Sequence, residues 1–158
     1  MKKILLIFFV ITISCSAKQE ITNTEFNENK QSKLEVSIEY GETITFTIKN
    51  TAPESLYLYQ PRKLHIEKFN KGTWDRLRIL QCPCGAPCAK PPEKVQILNQ
   101  EIYVRTWDKY EKWCGEKNKY GIPETLNAKA LKGKYRLRVL YGIDSKQKET
   151  IYMEFELK

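Results

Sequence analysis

The chain has 158 residues, enough for one domain with a packed core and too few for several. Hydrophobic residues make up 41% and charged residues 29%, which excludes a broadly disordered chain; nine Tyr among its aromatics suit β-structure. The formal net charge of +8 favours anionic surroundings such as lipid headgroups or acidic polysaccharide, although a solvated basic surface produces the same number.

The chain opens MKKILLIFFVITISC. Lys2 and Lys3 precede a run from Ile4 to Ile13 that is apolar except for Thr12. As a helix that run rises about 15 Å, half of a bilayer core, so it reads as the h-region of an export signal and not as a membrane span. Thr12-Ile13-Ser14-Cys15 resembles the lipobox of bacterial lipoproteins, with Thr12 where Leu is usual. The resemblance implies cleavage before Cys15, a diacylglycerol thioether on Cys15, and a membrane partner through that lipid anchor. It makes residues 1–14 a signal peptide and the protein exported and lipid-anchored to a bacterial membrane. Ser16 stands where Asp would retain a lipoprotein at the inner membrane, so outer-membrane delivery is compatible. The competing expectation is ordinary secretion with cleavage after Ala17.

Residues 15–32 hold few large apolar side chains and no period, and read as a polar tether. The folded domain is expected over 33–158. LEVSIEY places Leu34, Val36 and Ile38 on one face, and TITFTIKN repeats the alternation with Ile44, Phe46 and Ile48. Pro53 marks a turn before SLYLYQ. RKLHIEKF follows, then the hairpin signal Asn70-Lys71-Gly72, then TWDRLRIL with Trp74 and Leu77 expected in the core. Pro83, Pro87, Pro91 and Pro92 exclude a central strand or helix interior over 81–92. Strands resume at KVQIL and EIYVRTW. Residues 108–130 read as a polar, irregular excursion, with room for a helical turn near 124–132. GKYRLRVLYG, the turn at Asp144-Ser145-Lys146, and ETIYMEFELK complete the chain. Short strands at turn-punctuated intervals predict an all-β, Ig-like antiparallel β-sandwich with disulfide-linked loops.

FTIKNTAPESLYL, LHIEKFNKGTW, EIYVRTWD and GKYRLRVLY together resemble segments of the intracellular proteinase inhibitor (BsuPI-type) domains and related bacterial envelope modules, over roughly residues 33–142. The export signal, the cysteine segment and the 108–130 excursion depart from that group. The resemblance therefore implies the fold more than protease inhibition.

The chemistry rests on QCPCGAPC. Setting Cys15 aside as lipidated leaves Cys82, Cys84, Cys88 and Cys114, an even set in an oxidising compartment, so disulfides are expected. A Cys82–Cys84 ring is disfavoured, so Cys114 pairs with Cys82 or Cys84 and Cys88 takes the other. The alternatives are a four-thiolate metal site or a redox pair. His65 is the sole histidine, expected to face solvent, and no motif surrounds it with a nucleophile or an orienting acid. No enzyme activity, cofactor, bound metal or nucleic-acid partner is expected. Lys132, Lys134, Arg136 and Arg138 form a basic stripe that could bind an acidic glycan or anionic lipid. The expected role is a non-catalytic binding or structural module for an envelope protein or glycan, with proteinase inhibition and metal handling as the alternatives.

Overall fold

The computed structural model describes residues 32–158. The expected signal peptide, the Cys15 lipidation site and most of the tether lie outside the described residues. The strands are β1 (Leu34–Tyr40), β2 (Ile44–Asn50), β3 (Leu56–Tyr59), β4 (Ile66–Asn70), β5 (Thr73–Arg76), β6 (Lys94–Ile97), β7 (Ile102–Trp107), β8 (Tyr110–Lys117), β9 (Pro123–Lys129), β10 (Gly133–Gly142) and β11 (Lys148–Leu157). No helix occurs among the described residues, and every strand pair is antiparallel.

One sheet has the order β1-β2-β7. The larger sheet is centred on β10, which pairs along its length with β11 on one side. Its other side pairs with both β3 and β4. These two act as one strand interrupted at residues 60–65, where Gln60 takes a positive φ of 50°. β5 pairs with β4 and β6 with β3, so β5 and β6 follow one another along the same outer edge. Residues 77–93, with three of the cysteines, bulge out between them.

Alternation in the sequence becomes the core directly. Leu34, Val36, Ile44, Phe46, Ile48, Leu137, Val139 and Tyr141 are all buried. Phe46 meets Phe155 at 5.5 Å between ring centroids, and Trp107 meets Tyr135 at 5.7 Å, so rings from one sheet interlock with rings from the other. Such pairs add about 1 kcal/mol each beyond the area they bury. The Tyr135 hydroxyl donates to the Leu131 carbonyl, which satisfies its polar end while the ring stays buried.

Asn50 is the buried polar residue of the core. Its Nδ2 donates to the carbonyls of Glu54 (2.9 Å) and Ile97 (3.1 Å), and its Oδ1 accepts from the Ala52 N–H (2.9 Å). One side chain thereby joins the end of β2, the turn that follows, and β6 of the opposite sheet.

The structure corrects several expectations. Residues 108–130 are not irregular, and 124–132 form no helical turn: β8 and β9 make a two-stranded hairpin that pairs with neither sheet. The expected strands over 62–69 and 73–80 are shorter, because the chain leaves the ladder at 60–65 and again at Leu77. Leu77 is buried as expected, but Trp74 is not a core residue. It lies on the outer face against Phe69, at 5.1 Å between centroids.

Candidate binding surface

Cys82 pairs with Cys88 and Cys84 with Cys114. Of the two connectivities left open by the sequence, the fold selects the one that staples the cysteine loop to β8. The Cα atoms of Cys84 and Cys114 stand 5.6 Å apart, within the range a disulfide spans without moving the backbone.

The staple is supported on both sides. The Cys84 N–H donates to the Thr125 Oγ1 of β9 at 2.9 Å. Gly85 has φ +77°, and a Cβ there would stand 2.8 Å from the Ile122 side chain, so only glycine lets the loop press this closely on the hairpin. Before the cysteines, the Lys112 N–H donates to the Arg78 carbonyl. The Arg78 guanidinium lies 3.9 Å from the Trp113 ring centre and 3.4 Å from a Glu111 oxygen. At the hairpin tip the Asn118 Oδ1 accepts from the N–H groups of Tyr120 and Ile122, which closes the turn.

Neither strand of this hairpin buries a residue fully. Its hold on the domain comes from the disulfide, the Cys84 N–H bond to Thr125, the close approach of Gly85 to Ile122, the Arg78 contacts and the Trp107 Nε1–H bond to the Tyr110 carbonyl. Tyr120 is 74% exposed and Ile122 51%, so the tip presents apolar side chains to solvent.

Between the cysteine loop and β7 runs an open groove of about 660 Å³. Leu64, Ile79 and Trp107 line its apolar part, while Arg62, Lys90, Arg105 and Lys112 supply cations against Asp108, the one acid in the lining among the described residues. Lys112 pairs with Asp108. Arg105 donates from Nη2 to the Arg62 carbonyl at 2.6 Å, and its buried Nε has no hydrogen-bond partner among the described residues. The sequence reading missed Arg105, although the signal was there: in EIYVRTW it alternates with Tyr103 and Trp107 on the inward face.

The basic stripe divides. Lys132 lies in the turn before β10, while Lys134, Arg136 and Arg138 share the outer face of β10. Acids interleave them: Lys134 stands opposite Glu156, and Arg136 opposite Glu154 and Glu67. Arg136 Nε donates to Glu67 at 2.6 Å, and its guanidinium lies between the rings of Trp74 (4.3 Å) and Tyr152 (4.1 Å). The aromatics of residues 108–130 engage away from the stripe: Trp113 stacks on Arg78, Tyr120 lies near Lys119 at 5.0 Å, and Tyr110 lines the groove.

His65 is half-buried, not solvent-facing as the sequence suggested. Burial first, then the neighbouring cations Arg76, Arg138 and Lys63, push its pKa down to about 4, so the imidazole is neutral at ordinary pH. Burial, with Glu149 beside it, pushes the Tyr141 phenol up to about 12.

Compared with family models, curated proteins and solved structures, the chain matches none of them.

Proposed function

We propose that this chain is an exported bacterial lipoprotein whose β-sandwich serves as a non-catalytic binding module at the cell envelope. The carrying observation is the Cys84–Cys114 staple. It fixes a hairpin that adds nothing to the core against a proline-stiffened loop, an arrangement with a use in presenting a surface. Two disulfides favour an oxidising compartment, in keeping with the export signal and with Cys15 set apart for lipid. An Ig-like reading of the sandwich is supported by its strand neighbours and by Tyr135, which opens β10 and bonds back to Leu131 in the manner of a tyrosine corner.

The test uses the lipidated protein in cells, with a photoreactive residue in place of Tyr120. The expected result is a cross-link to one envelope component, lost in the Cys84→Ser/Cys114→Ser variant and absent when the photoreactive residue replaces Lys134. Equal cross-linking from both positions, or none from Tyr120, overturns the proposal. Parallel labelling with radioactive palmitate is expected to mark the chain and to fail for Cys15→Ala.

A second reading, proteinase inhibition, draws on the exposed 85–87 segment within the loop closed by Cys82–Cys88. It requires inhibition of at least one enzyme in a protease panel by the disulfide-intact protein. A thiolate metal site is disfavoured, because the two disulfides take up the four thiols it would need.

A further inference from the structure

β7 and the groove at its C-terminal end bring together three properties: a free strand edge, an uncharged outer face and guanidiniums without a carboxylate partner among the described residues. Among the described residues, β7 pairs with β2 and has no strand on its other side. The Asn50 N–H donates to the Glu101 carbonyl, and an antiparallel ladder alternates from there. Tyr103, Arg105 and Trp107 therefore bond to β2, while the backbone groups of Ile102, Val104 and Thr106 point to the open edge.

Edge strands are usually protected by charge, brevity or twist. β1, at the far edge of the same sheet, carries Glu35 and Glu39 outward, and β11 carries Glu154 and Glu156. β5 and β6 have four residues each. β7 has six, and its outward residues Ile102 and Val104 are uncharged and 53% and 52% exposed. The groove meets this edge at its C-terminal end, over Arg105, Thr106 and Trp107, and is positive there: Arg62 and Arg105 have no carboxylate partner among the described residues, and Arg105 Nε is buried without an acceptor.

We propose that the groove binds an extended, carboxylate-bearing peptide segment, which adds as a strand to the free edge of β7 and sets an acidic side chain against Arg105 and Arg62. Backbone pairing supplies affinity that tolerates sequence variation, and the guanidiniums select for acid. The cysteine loop forms the opposite wall, so its disulfides hold the groove open. The inference rests on the binding-module reading and names its ligand class.

The probe is a synthetic peptide of about seven residues that alternates Val with Glu, long enough to cover β7. A counterpart replaces each Glu with Gln. Amide hydrogen exchange is followed by NMR on the disulfide-intact protein. The acidic peptide is expected to slow exchange at Val104 and Thr106, with Tyr103 and Arg105 already protected by β2. The Gln peptide should bind about tenfold more weakly, a charge-assisted hydrogen bond's worth. Arg105→Gln should erase that preference. Arg62→Gln, at an exposed position, should reduce it without risk to folding. No protection at Val104 and Thr106, equal binding of both peptides, or protection by polygalacturonate in place of peptide overturns the proposal. In each of those cases the Tyr120 cross-link still decides the binding-module reading separately.

Discussion

Arg136 distinguishes a structural basic stripe from a ligand-binding one. Its guanidinium is held by Glu67 at 2.6 Å and by two rings, and both charged partners are largely buried, at 21% and 15% side-chain exposure. Arg136→Met keeps the aliphatic stem and removes the charge. A partly buried, charge-assisted bond contributes about 1.5 kcal/mol, and each ring about 0.5 kcal/mol. The variant should therefore lose about 2.5 kcal/mol, with Glu67 left unpaired. For a domain of this size that is a fall of about 8 °C in Tm. Urea unfolding at fixed pH, followed by tryptophan fluorescence, measures the loss directly. Arg136→Lys should recover less than half, because an ammonium cannot lie flat between two rings. Lys134→Met, at an exposed neighbouring position, should change stability by no more than about 0.5 kcal/mol. Equal small effects for Lys134 and Arg136 would refute the reasoning and return the stripe to the list of free surface cations.

Three further outcomes follow from the structure. Removing the Cys84–Cys114 link, which closes a separation of 30 residues, should cost about 3.5 kcal/mol in non-reducing urea titration; removing Cys82–Cys88, separation 6, should cost about 2 kcal/mol. Asn50→Ala strands two carbonyls and one N–H in the core, and should lower the unfolding free energy by about 3 kcal/mol, read from the same titration. His65 has a folded pKa of about 4 against 6.5 for the free side chain, so between those values the unfolded chain binds the extra proton. Stability should fall as pH drops from 6.5 to 4, by about 2 kcal/mol for a half-buried group, and the difference in slope between the wild type and His65→Gln should isolate that share.

The two sheets were legible because one buried face imposes period two. LEVSIEY, TITFTIKN and GKYRLRVLYG announce their inward residues, and these are found buried except Ile38, which is partly buried near the end of β1. The β8–β9 hairpin was hidden for the same reason. YEKWCGEK and PETLNAK have no buried face, so their pairing leaves no alternation to read. Only Cys114 pointed to that hairpin's attachment. Trp74 misled because a large aromatic after a hairpin turn suggests core, whereas here it flanks a guanidinium on the outer face. The need for disulfides followed from cysteine parity, but the choice of Cys84 over Cys82 depends on which side of the loop faces β8. The inward place of Arg105 was legible in EIYVRTW, but the groove was not: Arg62, Arg105 and the cysteine loop meet only once the sandwich has formed.

The most direct measurement is peptide mapping by mass spectrometry of the exported protein, alkylated before digestion. The account predicts two links that survive alkylation and digestion and open only on reduction, Cys82–Cys88 and Cys84–Cys114, with a diacylated Cys15 as the N-terminal residue. Free thiols at these four positions, a Cys82–Cys114 link, or a Cys15 joined to another cysteine would contradict it.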